Sequence, residues 1–196
     1  MTGIYCIETD WWNNPRRQST VEPVLSILKT HLKIPYVHRD VSTDGELSFH
    51  LREWSSKAYA KFPYLYLALH GNNGTICSRR EKNGRYYKVE LTLDWLASVL
   101  KNRCDGRVIM IASCSTMDIH GAYKRKFLEA TGARAVLGYA VDVDWLDATT
   151  FELALFSTLP MKRRPRIDSI IGSVKKVRSM HKGMAKQLQF SGYRYA

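Results

Sequence analysis

Two stretches of the sequence are the strongest indication of the fold: YLYLALHGNNG at residues 64–74 and VIMIASCST at residues 108–116. Each opens with a run of apolar residues and then reaches a reactive side chain, His70 in the first and Cys114 in the second. Near-continuous apolar runs are typical of strands that are buried on both faces, as in parallel sheets. The two stretches therefore predict buried strands that end beside a histidine and a cysteine.

Strand and helix patterns alternate along the rest of the chain, which predicts an α/β fold with a mostly parallel central sheet between helices. An exposed β-hairpin is predicted around the KNG turn at residues 82–84. No linker divides the chain, so we expect one domain over residues 1–196. Further strands are predicted at residues 3–8, 36–41 and 133–141, and helices at residues 20–34, 47–62, 92–102, 120–132, 144–159 and 166–188.

The composition narrows the function classes. The net charge of +12 favours anionic partners such as nucleic acid or acidic protein surfaces, and basic residues cluster at 78–85 and 161–166. A secretion signal and a membrane-length apolar run are both missing, so we expect a cytoplasmic protein without membrane contact. The four cysteines have no zinc-type spacing and no nucleotide-binding glycine motif is present, so neither a metal nor a cofactor is expected.

The ends of the two apolar strands indicate a reactive site. In open parallel sheets, ligands bind beyond the carboxyl ends of the strands, and sequential strands are usually neighbours. His70 and Cys114 are therefore expected to face one cleft, as a cysteine nucleophile and its histidine require. The N–H groups of Gly71 and Cys114 are candidates for an oxyanion hole, and a helix that starts after Cys114 is expected to favour the thiolate.

These motifs resemble those of the caspase-like cysteine peptidases of clan CD, and the CHAT family most closely. The resemblance covers a strand ending in His-Gly (LALHG), a hairpin, a helix and a strand ending in Ala-x-Cys-x-Ser/Thr (IASCST). It continues through a third strand and an acidic turn into a helix at residues 136–156. It implies a caspase-like three-layer sandwich in which His70 is the catalytic histidine and Cys114 the nucleophile.

The same resemblance implies an endopeptidase that acts on a protein substrate under the control of an activating partner, in a bacterial defence against phage. Asp142 matches an acidic position that in separase accompanies a basic residue at the cleavage site, and Asp144 is a second candidate. A carboxylate there attracts arginine or lysine and repels an acidic side chain. Cleavage after a basic residue is therefore expected.

Other readings of the same residues are of two kinds. An α/β-hydrolase requires a Gly-x-Ser/Cys-x-Gly elbow, which IASCST lacks. The alternative that remains open is a catalytically silent caspase-like module that binds nucleic acid or a protein partner through its basic surface.

Overall fold

The computed structural model describes residues 1–9 and 19–194 and contains a mainly parallel six-stranded sheet with helices on both faces. The strand order is β2-β1-β3-β7-β8-β9, and only β9 runs antiparallel to its neighbour. The six strands are β1 Ile4–Thr9, β2 Tyr36–Val41, β3 Tyr64–Ala68, β7 Val108–Ala112, β8 Ala135–Tyr139 and β9 Phe190–Arg194.

Within residues 1–9 and 19–194, seven α-helices connect or flank these strands. Among the described residues, none of them is both long enough and apolar enough to span a bilayer. The helices are α1 Glu22–Leu32, α2 Asp44–Trp54, α3 Leu93–Val99, α4 Gly121–Thr131, α5 Trp145–Thr158, α6 Ile167–Met180 and α7 Lys182–Gln187.

The central strands are buried on both faces because alternate residues enter two separate cores. In β3, for example, Tyr66 and Ala68 pack toward α1 and α5, whereas Leu65 and Leu67 pack toward α2 and α3. The helix–sheet–helix layering confirms the predicted three-layer α/β architecture.

A second, antiparallel sheet carries the hairpin. It consists of β4 Gly71–Asn72, β5 Thr75–Lys82 and β6 Arg85–Thr92. Asn83 and Gly84, with φ of 54° and 71°, form the turn, which matches the primed turns of two-residue hairpins. Most of β6 is exposed, so the prediction of an exposed hairpin is confirmed.

Two predicted helices differ more than the others from the helices that the structure contains. The helix predicted at residues 47–62 begins earlier, at Asp44, because Thr43 and Glu46 form a capping box, and it ends at Trp54. The single helix predicted at residues 166–188 is broken at His181, whose ψ of 47° leaves helical geometry. The strand β9 that follows it was not predicted.

Candidate active site

The site is built on two adjacent parallel strands. β3 and β7 pair in register, with Ala68 opposite Ala112, and each strand ends at that alanine. His70 and Cys114 each lie two residues beyond their alanine. The two side chains therefore emerge at the same edge of the sheet, as predicted from the sequence, although both strands end before the reactive residue.

His70 and Cys114 border two cavities in common. The larger, about 870 Å³, lies between the edge of the main sheet and the hairpin, and Cys77, Arg79 and Lys88 form part of its wall. The smaller, about 410 Å³, lies on the α1 and α5 side of the sheet. His70 is exposed and Cys114 is partly buried, with its thiol 3.8 Å from the Val143 carbonyl oxygen. Both groups are thus accessible to a ligand in either cavity.

The larger cavity has a polar wall. Within the described part of the chain, the hydroxyls of Thr9 and Ser78 are buried without a hydrogen-bond partner, and both residues line this cavity. An unsatisfied buried hydroxyl is costly, so these two groups mark a polar part of the cavity wall. Arg79 and Lys88 give the same wall a positive charge.

Gly71 brings the backbone after His70 against the loop that carries Cys114. A Cβ at position 71 would lie 2.2 Å from Thr116 Oγ1 and 2.8 Å from the Cys114 carbonyl oxygen, so only glycine fits. Cys77 N–H donates to the His70 carbonyl at 2.8 Å, next to the Gly71–Ile76 pair. In an antiparallel ladder this places the Gly71 N–H on the side away from β5, where an oxyanion donor would be required.

The loop after Cys114 is held in an uncommon conformation. Ser115 has φ of 49°, and its hydroxyl donates to Asp142 Oδ1 at 2.7 Å. The Ser115 N–H donates to the Val141 carbonyl at 3.0 Å, which ties the loop to the segment after β8. Because a left-handed backbone is costly for a residue with a side chain, these contacts fix the position of Cys114.

The helix that follows Cys114, predicted at residues 120–132, spans Gly121–Thr131 in the structure, with His120 as its N-cap. Residues 115–119 separate Cys114 from this N-cap, and the effect of the helix dipole on the thiolate stays a prediction. The intervening residues form a separate loop. In that loop the Thr116 hydroxyl lies 3.1 Å from the carbonyl oxygens of Thr75 and Cys114.

The two predicted specificity residues lie in different settings. Asp142 is exposed, borders the larger cavity and accepts the Ser115 hydroxyl. Asp144 is exposed beside the smaller cavity and caps α5, accepting the N–H groups of Leu146 and Asp147 at 2.9 and 3.1 Å. Neither carboxylate lies in a half-buried pocket, because both follow β8 on an exposed turn.

The remaining cysteines separate into two kinds. Cys6 and Cys104 are fully buried, as expected of small apolar core residues. Cys77 borders the larger cavity together with Cys114, and burial raises the pKa of its thiol. Cys77 is therefore the natural internal comparison for the reactivity of Cys114.

The smaller cavity contains an acidic residue that was not predicted from the sequence. Glu152 of α5 is 2% exposed and lines this cavity, and it accepts hydrogen bonds from the hydroxyls of Tyr66 and Tyr139. Burial raises the pKa of its carboxyl to about 7. The only sequence signal was an acid between apolar neighbours in TTFELALF at residues 149–156.

One group of described side chains has the spacing of metal ligands: Glu8, His38 and Asp40, whose ligand atoms lie within 4.8 Å of one another. Glu8 already accepts from the Val21 N–H at 2.9 Å and from the Thr20 hydroxyl at 2.7 Å. Its contact with His38 Nε2, at 2.7 Å, raises the pKa of that histidine. This network joins β1 and β2 to the start of α1.

A comparison of the whole chain with protein families identifies one match. The model of a family of unknown function, DUF6642, matches residues 1–194. The match spans nearly the full sequence, so the chain belongs to this family. No curated protein matches the chain.

Proposed function

We propose that this member of the DUF6642 family is a cysteine endopeptidase with a dyad of Cys114 and His70. The observation that carries the proposal is that these two residues follow adjacent parallel strands and border the same two cavities. A thiol and an imidazole that share one cleft satisfy the first requirement of covalent catalysis by cysteine.

In this mechanism Cys114 transfers its thiol proton to His70, and its sulfur attacks the carbonyl carbon of the scissile peptide bond. The N–H groups of Gly71 and Cys114 stabilise the oxyanion. The C–N bond breaks as His70 protonates the leaving amine, which leaves a thioester on Cys114. Water then attacks the thioester, the C–S bond breaks, and the released acid and the free thiol complete the cycle.

The architecture and the motifs support a caspase-like peptidase. The strand order places the LALHG and IASCST segments side by side at the carboxyl edge of a three-layer sandwich. The resemblance of these segments to CHAT peptidases also suggests a protein substrate and an activating protein partner, as part of a bacterial defence against phage. We therefore propose both a protein substrate and an activating protein for this chain.

The test is covalent labelling of the purified protein with peptidyl acyloxymethyl ketones, followed by mass spectrometry of the modified peptide. These reagents require a competent thiolate, so Cys114 is expected to react and His70→Ala to react at least about 100-fold more slowly. Cys77→Ser serves as the matched control because Cys77 borders the same larger cavity, and it should react like the wild type. Labelling that is unchanged in His70→Ala would exclude the dyad.

A second candidate function is nucleic-acid binding by the hairpin. The outer halves of both hairpin strands are exposed and carry Lys82, Arg85 and Lys88. Tyr86 and Tyr87 lie among these charges and are 64% and 50% exposed. Positive charges interleaved with aromatic rings match the requirements of single-stranded nucleic acids. This function predicts binding that weakens steeply with salt, is lost when the three charges are replaced by serine, and is unchanged in Cys114→Ala.

A further inference from the structure

The smaller cavity extends inward from the two proposed catalytic residues. It follows one face of β3 from His70 past Ala68 to Tyr66, a distance of about 13 Å along a strand. Ala68, Ala112 and Ala148 line it, and their small side chains leave the space that larger residues would fill. The result is a largely apolar cavity whose lining extends from Cys114 to the buried residues Tyr66 and Glu152.

Glu152 lies near the buried end of this cavity. It is eight residues after Asp144, the N-cap of α5, and so about 12 Å farther along the helix axis. Helical side chains tilt toward the helix N-terminus, which directs the Glu152 carboxylate back toward the cavity mouth. A side chain that enters beside Cys114 must be long to reach it, and lysine and arginine are the longest.

The environment of Glu152 is suited to an incoming cation. Tyr66 and Tyr139 each donate one hydrogen bond, one to each carboxylate oxygen, which leaves further lone pairs available to accept. Among the described residues the carboxylate has two phenol partners and forms no ion pair. A buried carboxylate without a counter-charge is costly, and a ligand cation would remove that cost.

We propose that the smaller cavity receives the side chain that precedes the scissile bond and that Glu152 selects lysine or arginine there. This inference rests on the proposed peptidase activity. It assigns the basic preference to a buried helix residue in place of Asp142 and Asp144. Asp142 positions the Ser115 loop, and Asp144 caps α5.

The test compares two acyloxymethyl ketones that differ only in lysine or norleucine at the position before the reactive group. The two side chains share the same four-carbon chain, so their rate ratio isolates the charge. Loss of one partner of a buried charge pair is costly, so we expect Cys114 to react roughly 100-fold faster with the lysine reagent. In Glu152→Gln the two reagents should react at about equal rates, and the norleucine rate reports that the site is still folded.

Glu129→Gln is the matched control, because Glu129 is exposed on α4 and lines neither cavity. It should keep the lysine preference. Equal rates in the wild type, or a lysine preference that survives Glu152→Gln, would overturn the role of Glu152 and leave the dyad intact.

A second experiment tests binding to the smaller cavity and does not depend on catalysis. Binding of Nα-acetyl-lysine methylamide and its norleucine analogue to Cys114→Ala is followed by NMR, with and without Glu152→Gln. Binding that favours lysine and needs Glu152 supports the cavity assignment even if no ketone labels Cys114, an outcome that would refute the peptidase alone. Equal binding of both amides would refute the cavity assignment.

Discussion

Gly71 and Cys114 are in such close contact that a Cβ on residue 71 would lie 2.8 Å from the Cys114 carbonyl oxygen. This contact couples the loop of the proposed histidine to the loop of the proposed nucleophile. It also places the two candidate oxyanion donors on neighbouring segments of backbone.

Gly71→Ala should therefore damage both the site and the fold. The added methyl group meets backbone and a buried hydroxyl that cannot move aside, so we expect a loss of about 1–3 kcal/mol in the free energy of unfolding. Urea denaturation measures this loss, and labelling of Cys114 measures the effect on the site. Gly172→Ala is the control, since nothing lies within 4 Å of its added Cβ in α6, and it should stabilise the protein slightly.

Asp144→Ala should weaken the start of α5. Its carboxylate accepts two backbone N–H groups, and the loss of such a cap costs about 1 kcal/mol. Asp144→Ser keeps an acceptor at the cap and should recover most of that free energy. If Asp144 only caps the helix, the serine variant also keeps the lysine preference in labelling, whereas loss of the preference would give Asp144 a direct part in selecting the substrate.

Arg107 is a buried structural cation, and its replacement should be strongly destabilising. Its guanidinium donates to the carbonyls of Trp54 and Ser56 at 2.6 and 2.8 Å and stacks on the Trp54 ring. Arg107→Met keeps the volume but leaves these carbonyls without donors, so we expect a loss of about 2–4 kcal/mol in the free energy of unfolding.

The control is Arg103→Met, because Arg103 is exposed on the same loop. It should change the free energy of unfolding by less than about 0.5 kcal/mol. Chemical denaturation of both variants provides the comparison, and similar losses would contradict the structural role of Arg107.

The raised pKa of Glu152 predicts a pH dependence of stability. The folded protein holds this proton up to about pH 7, whereas the unfolded chain releases it near pH 4.5. The contribution of Glu152 to the free energy of unfolding should therefore fall by about 3 kcal/mol as the pH rises from 4.5 to 7 and then level off. In Glu152→Gln this part of the decline should disappear, as measured by urea denaturation across that range.

Glu129→Gln should keep the wild-type dependence, because its carboxylate is exposed. An identical pH profile in the wild type and in Glu152→Gln would show that Glu152 titrates normally. An ionised Glu152 attracts a cation more strongly than a protonated one. The lysine preference in labelling should therefore rise as the pH passes through 7.

The sequence was sufficient for the main features of the fold because the central strands are apolar on both faces and the hairpin has a strong turn signal. The adjacency of β3 and β7, and with it the common edge for His70 and Cys114, followed from chain order alone. β9 was missed because its pairing depends on β8, a tertiary contact, and Gly192 weakens its local pattern.

Residues of the candidate site that are distinguished only by their burial could not be predicted from the sequence. Glu152 is distinguished from other helix acids only by its place under the sheet, which no local pattern reports. The conformation of residues 114–120 was not predicted, because contacts to Thr75, Tyr139 and Val141, all distant in sequence, hold this loop.

The strand order has a consequence for synthesis on the ribosome. From β3 onward each strand joins the edge left by the previous one, through β7 and β8 to β9, so the sheet is able to grow in the order in which it is translated. The nucleophile segment emerges before α5, which supplies Glu152 and a wall of the smaller cavity. A nascent chain that carries Cys114 thus lacks that cavity until α5 has left the exit tunnel, so the site is completed only after the nucleophile has been exposed.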